Sequence, residues 1–318
     1  MLAGISGTLS FMGSSYIVIS CLLLTFGIVK QSTQTTNVSL VLSLSLADFF
    51  SSFSYMTIFF NLHNRFWIVC KLQAFWMQLF ELASIFNTGA IAFYLLNSII
   101  FRLKGRVLSV VNGFWIIVAW TIPIIMAVTL FPLGGYGPSG PWCWVNVVEF
   151  KFFFFYNYLF VIVILNILIY IAVFTYLSLL GRKVSRTNRH TVRFARSLLA
   201  YMVVFFGVWS VPVIYRLLSL AVDVDTPLLV IPMTILNPCG GIFNGLIYGY
   251  FARVHQSWLK WIDRKRRTIT TQNPLSNKRP IPRNSSAISV DPLGVDIPVV
   301  ATDYPMTPEE FGHVENNV

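Results

Sequence analysis

The sequence predicts an all-α membrane protein, a bundle of seven transmembrane helices. Three observations carry this prediction. Long apolar runs dominate, with 56% of the 318 residues hydrophobic and only 11% charged, against roughly 25% charged in soluble domains. The runs are long enough to cross a hydrocarbon core of ~30 Å, which takes about 20 residues. Basic residues cluster between alternate runs, as the positive-inside rule requires. The net charge of +11 therefore reports topology, and no nucleic-acid partner is expected. A mean hydropathy of +0.69 agrees.

The seven stretches are roughly 4–29, 38–60, 71–101, 107–131, 152–180, 196–221 and 228–251. Backbone groups in lipid must be satisfied within the segment, so these are helices. No β-barrel alternation is visible. The third and fifth stretches are long enough to tilt or project. The first begins almost at Met1, with no basic n-region and no A-x-A site, and reads as a retained span.

Loop charge sets the orientation. Lys30, then Arg102, Lys104 and Arg106, then Arg182, Lys183, Arg186, Arg189, Arg193 and Arg196 lie on one side. On the other, Arg65, Lys71 and Lys151 are offset by Glu149, Asp223 and Asp225. The first side is expected in the cytoplasm, with the N-terminus outside and the C-terminus inside. The bundle is expected over residues 1–251. Residues 252–267 follow as an amphipathic interfacial helix (Phe251, Val254, Trp258, Trp261 and Ile262 at helical spacing) and a basic cluster, Arg264 to Arg267. That cluster is placed to meet anionic inner-leaflet lipids. Residues 268–318 are rich in Pro, Ser, Thr and Asn and read as a disordered cytoplasmic tail. Thr268, Thr270, Ser285 and Ser286 there are phosphorylation candidates. The sequons at Asn37 and Asn284 fall on the cytoplasmic side and read as chance matches.

Polar residues inside spans are costly and are functional candidates. Asp48 lies ten residues into the second span, about 15 Å deep. It is either a cation or switching site or a structural hub, with Asn237, Asn244, Ser84 and Asn87 as possible partners. Glu81 lies near the midplane of the third span, and a hydrogen bond to a neighbouring helix would explain it. Arg216, in the outer third of the sixth span, either faces a cavity open to an anionic ligand or snorkels to headgroups. Trp209, three residues before Pro212, is a hinge or a packing residue. Asn244 and Tyr248 share a helix face and form a polar switch or a packing surface, while Gly240 and Gly241 permit close helix contact.

Cys70 and Cys143 are the two cysteines on the expected outer side, which is oxidising, so a bridge is favoured over two free thiols. Trp142 and Trp144 flank Cys143. They line a ligand entrance or belong to the interfacial aromatic belt, and alone they read as belt residues. No metal-ligand spacing appears, no Ser-His arrangement suits a protease, and no lysine in the last span could hold retinal. No cofactor and no enzyme activity are expected. A small-solute transporter using Asp48 and Glu81 is the alternative from another class.

Four segments resemble one known family. They are Leu9-Ser-Phe-Met-Gly-Ser14, Gly140-Pro-Trp-Cys-Trp144, Ala83-Ser-Ile-Phe86 with Ala90-Ile-Ala-Phe93, and Phe243-Asn-Gly-Leu-Ile-Tyr-Gly249. Their order and placement over about 1–262 resemble the cyclic-AMP-receptor-like G-protein-coupled receptors of slime moulds and their fungal and plant relatives. The resemblance implies the GPCR fold, an extracellular small-molecule ligand, a heterotrimeric G protein as partner and a Cys70–Cys143 disulfide. It gives Arg216 a pocket role and sets Asp48 at the family's acidic position in span two. Ile-Ile-Phe-Arg102 lacks the acidic-Arg-Tyr triplet of rhodopsin-like receptors, and the Asn237 and Asn244 segments depart from their Asn-Pro-x-x-Tyr pattern.

Overall fold

Each apolar run buys its place by closing its own backbone hydrogen bonds, and helices result. The computed structural model describes residues 2–26, 38–57, 67–140, 142–181, 200–201, 203–214, 218 and 227–252. The helices are α1 (Leu2–Thr25), α2 (Val38–Met56), α3 (Trp67–Ile99) and α4 (Gly105–Leu130). A hairpin follows, β1 (Tyr136–Ser139) and β2 (Trp142–Val145). Then come a short α5 (Val148–Lys151), a π-helical turn (Phe152–Tyr156) and α6 (Asn157–Gly181). The chain resumes with α7 (Val203–Ile214), α8 (Pro227–Leu236), a 3-10 turn (Asn237–Cys239) and α9 (Gly240–Ala252). Five of these helical stretches are long and apolar enough to cross a membrane: α1, α2, α3, α4 and the run from α5 through α6.

Three details go beyond the sequence expectation. The fold is mostly helical, as expected, and carries one short hairpin besides: β1 and β2 pair antiparallel, with Tyr136 opposite Val145 and Pro138 opposite Cys143. Two four-residue strands are too short for alternation to stand out in the sequence. The third span starts a turn earlier than expected, at Trp67, so Cys70 lies within its first turn. The last span is broken, because Asn237-Pro-Cys239 tightens into a 3-10 turn where Pro238 has no N–H to donate.

α3 is the axis of the bundle. It packs against α2, α4, α6 and both strands, while α1 packs against α2 and α9. The α1–α9 contact is close because it is made through glycine. A Cβ on Gly13 would sit 2.6 Å from the Ile242 Cα and 2.7 Å from the Gly241 carbonyl oxygen. The Ser10 hydroxyl accepts a bond from the Gly241 N–H at 2.8 Å across the same seam. Two large apolar clusters and a small third one around Leu79, Phe80 and Ala127 fill the interior. One large cluster gathers Cys70, Met77, Leu82, Trp142, Trp144, Phe155 and Trp209 at the hairpin end. The other large cluster gathers Ile17, Leu44, Ile91, Leu95, Tyr201 and Tyr248 towards the opposite end. Val110, Phe114, Ile117, Ile124 and Val128 of α4 point outward, as a lipid-facing helix does.

Candidate functional site

The site is built where the hairpin meets α3. A disulfide joins Cys70 to Cys143 with Cα atoms 5.3 Å apart, across 73 residues of sequence. Two glutamines one and two turns further along α3 continue the tether. Gln73 donates from Nε2 to the Ser54 carbonyl at 3.0 Å, and its Oε1 accepts from the Cys143 N–H at 3.3 Å. The Gln78 Oε1 accepts from the Trp144 indole N–H at 3.0 Å, and its Nε2 donates to the Phe154 carbonyl at 2.9 Å. Phe154 lies inside the π-helical turn, so one buried side chain holds both the hairpin and the irregular start of α6. π-helical turns recur at functional sites. Tyr136 fastens the other strand through a 2.7 Å bond from its hydroxyl to the Ala127 carbonyl, and burial pushes its phenol pKa up.

All four residues of β2 are buried. Trp142 is 3% exposed and Trp144 is 8% exposed, so neither is the interfacial belt residue that the sequence favours. The Trp142 ring meets Tyr55 edge to face at 5.4 Å. The Trp144 ring contacts Phe155 at 5.0 Å, and Phe155 contacts Trp209 of α7 at 5.5 Å. The hairpin therefore touches α2 directly through an aromatic ring and is linked to α7 by way of Phe155 in the π-helical turn.

Below Trp142 the seams turn polar. The Tyr55 hydroxyl donates to Glu81 Oε1 and accepts from Asn237 Nδ2, the latter at 2.9 Å. This ties α2, α3 and the 3-10 turn. Two turns along α2, Asp48 accepts from the Ser84 hydroxyl at 2.6 Å and from Asn244 Nδ2 at 2.7 Å. Beyond it, the Asn87 Oδ1 accepts from the Ser43 hydroxyl at 2.6 Å, and the Trp120 indole N–H bonds that hydroxyl at 2.8 Å. The stack forms because α2 and α3 run antiparallel, which brings these positions level in turn.

The expected candidates thus divide. Ser84 and Asn244 meet Asp48, whereas Asn237 meets Tyr55 and Asn87 meets Ser43. The buried Tyr248 hydroxyl accepts from the Cys21 thiol at 3.5 Å, so Tyr248 and Asn244 share a helix without sharing a partner. At the far end, the exposed Arg102 reaches the Tyr176 hydroxyl of α6 from Nε at 3.0 Å and from Nη2 at 2.5 Å. Arg102 has φ +54°, a left-handed turn after α3, and Lys104 stands in extended backbone at the residue before α4, with no side-chain capping bond. Arg216, Arg182, Lys183, Arg186, Arg189, Arg193, Arg196, Thr268, Thr270, Ser285 and Ser286 lie outside the described residues. Among the described residues no group of three His, Cys, Asp or Glu is placed to hold a metal.

Sequence reasoning missed Tyr55, Gln73, Gln78, Ser43 and Tyr176. A neutral amide or hydroxyl lowers hydropathy too little to stand out. The recoverable signal was three uncharged polar residues of span three, Gln73, Gln78 and Asn87, within the apolar run.

Long apolar helices, a line of buried polar contacts along the α2–α3 seam and a disulfide-tethered hairpin packed on one end make the frame of a multi-pass helical membrane protein. The chain matches the family described as slime mold cyclic AMP receptor over residues 5–262, and it belongs to that family. One relative is the cyclic AMP receptor-like protein A of Dictyostelium discoideum, 23% identical over 250 residues. The match covers 77% of this chain but 62% of the relative, so the chain spans less than two thirds of that protein's length.

Proposed function

We propose that the protein is a seven-span G-protein-coupled receptor that transduces an extracellular small-molecule signal and has no enzyme activity of its own. Its N-terminus lies outside, at the plasma membrane, and its C-terminus lies in the cytoplasm. Loop charge and family membership support that orientation, and the sixth and seventh spans complete the five long helices. The bundle takes residues 1–251, an interfacial helix and basic cluster 252–267, and a cytoplasmic tail 268–318. The cluster meets anionic inner-leaflet lipids, and phosphorylation at Thr268, Thr270, Ser285 or Ser286 weakens that attraction by adding about −1.5 to −2 charges per site.

One observation supports this reading above the others. The hairpin meets the polar seam through Trp142 and Tyr55, and Trp144 meets Phe155 of the π-helical turn, which in turn meets Trp209 of α7. A ligand held between the hairpin and the ends of the spans, near Trp142, Trp144, Glu81 and Arg216, has two routes by which to favour one arrangement of the bundle. Such a ligand shifts the population only by its difference in affinity for the two states. Asp48, Asn87, Trp209, Asn237, Asn244 and Tyr248 form the switching network between the ends. At the inner end, separation of α3 from α6 breaks the Arg102–Tyr176 contact. Arg102, Lys104, Arg182, Lys183, Arg186, Arg189, Arg193 and Arg196 then face the acidic surface of a heterotrimeric G protein. The name of the relative makes a cyclic nucleotide one ligand to try first.

The test is guanine-nucleotide exchange on heterotrimeric G proteins co-reconstituted with the protein in bilayers. Acceleration over receptor-free vesicles is expected. Failure to accelerate exchange on any G protein of the source organism would overturn the proposal.

A further inference from the structure

We infer that the buried amide of Asn166, near the middle of α6, is a conformational bias built into the bundle: it favours separation of the inner half of α6 from α3. The inference rests on the receptor reading above, in which those two helices part, and it names a residue that sets the resting balance.

The buried asparagines differ in how they are bonded. Asn87 uses both ends of its amide, accepting from Ser43 and donating to the Ala83 carbonyl. Asn244 donates to Asp48, and Asn112 donates to the Ser39 hydroxyl. Asn166 is 0% exposed, and among the described residues neither its Nδ2 nor its Oδ1 has a partner.

Its surroundings are hydrocarbon. Ile162 and Ile169 lie one turn to either side of Asn166 on the same buried face of α6. Ile162 belongs to the cluster at the hairpin end, and Ile169 and Val173 belong to the other cluster with Ile91, Leu95 and Ile99 of α3. The two helices touch closely beside it, because a Cβ on Gly89 would come 3.1 Å from the Ile162 Cδ1. Tyr201, two residues before α7, repeats the pattern. It is buried in the cluster of Ile169 and Val173, and its hydroxyl has no partner among the described residues.

A polar group buried without a partner raises the energy of the arrangement that buries it. When the inner halves of α3 and α6 part, water entering the cleft bonds the amide and the cost disappears. The amide therefore binds the two arrangements unequally with respect to solvent, which is what shifts a population. Asn166 acts against closure of the seam, and the Arg102–Tyr176 contact at its exposed end acts for it.

The experiment labels the full chain in lipid nanodiscs with a water-soluble methanethiosulfonate and reads position 173 by peptide mass spectrometry, with Tm measured alongside. The parent carries Val173→Cys, a site on α6 that is 3% exposed and meets water only when the seam opens. Asn166→Leu keeps the branching and heavy-atom count of asparagine without its polarity. It is expected to raise Tm and to slow labelling about 10- to 100-fold, the population shift for removing one buried orphan. Asn166→Val, which is smaller, carries the same expectation where leucine does not fit. Tyr201→Phe should slow labelling by a smaller factor. The inference is overturned if the amide-free variants lower Tm or label as fast as the parent, if neither of them folds, or if Tyr201→Phe labels faster. A raised Tm with unchanged labelling also overturns it, because that is packing alone. No G protein enters this measurement, so its failure leaves the receptor reading to the nucleotide-exchange assay.

Discussion

Asp48 accepts one hydrogen bond from α3 and one from α9, so three helices converge on a single carboxylate. Replacing it with leucine leaves the Ser84 hydroxyl and the Asn244 amide without their acceptor, and each buried orphan costs about 1–3 kcal/mol. Asp48→Asn keeps a carbonyl oxygen for one of them. The expected order of thermal stability in detergent is therefore wild type, then Asp48→Asn, then Asp48→Leu. Arg102 makes a contact of another kind, exposed and between the ends of α3 and α6. Tyr176→Phe removes its acceptor while keeping the ring. If that contact holds the resting arrangement, basal guanine-nucleotide exchange rises severalfold in the variant; an unchanged basal rate would remove Arg102 from the switch. Asp48 was legible in the sequence because a carboxylate in an apolar run stands out, and Ser84 and Asn244 lie within reach by depth. The partners of Asn87 and Asn237 were not legible. They depend on which faces of α2 and α3 meet, and depth along a span does not specify the face.

At the scale of elements, the hairpin and α3 act as a unit held by a disulfide and two glutamines. Gln78 is the most informative member because it holds Trp144 on one side and the Phe154 carbonyl of the π-helical turn on the other. Gln78→Leu has similar volume and no polar atoms. It leaves two buried groups unpaired, so a loss of about 2–6 kcal/mol is expected in chemical or thermal unfolding, from roughly 1–3 kcal/mol for each group. A loss below experimental error would mean that water replaces Gln78 at both groups. The α1–α9 seam makes a separate demand. Gly13→Ala places a methyl group against the backbone of Gly241 and Ile242, and overpacking of this kind costs about 1–3 kcal/mol. The same methyl on Gly113, which has nothing within 4 Å, should leave Tm unchanged or raised. The helices were legible as apolar runs, and the paired glycines as a contact surface. The hairpin was not. Its strands are four residues each, and the Pro-Trp-Cys-Trp segment carries the aromatic composition of an interfacial loop until packing against α3 buries it.

At the scale of the whole molecule, polar contacts descend the α2–α3 seam from the disulfide towards the other end. Ser54 meets Gln73, Tyr55 meets Glu81, Asp48 meets Ser84, and Ser43 meets Asn87. In lipid such contacts hold helices together where apolar packing alone discriminates weakly, each worth on the order of 1 kcal/mol. A ladder of modest bonds can rearrange step by step, which suits a bundle with two arrangements of similar energy. Trp142 stands at its upper end, against Tyr55. If the hairpin controls the bundle through that ring, truncating it changes what happens at the opposite membrane face. The measurement is basal guanine-nucleotide exchange by co-reconstituted G protein, with the wild type and Trp142→Ala at matched folded concentrations. The expected result is exchange above the receptor-free rate in the wild type and a severalfold different rate in Trp142→Ala. Exchange no faster than without the protein, or equal rates for wild type and variant, would contradict a receptor governed through its hairpin.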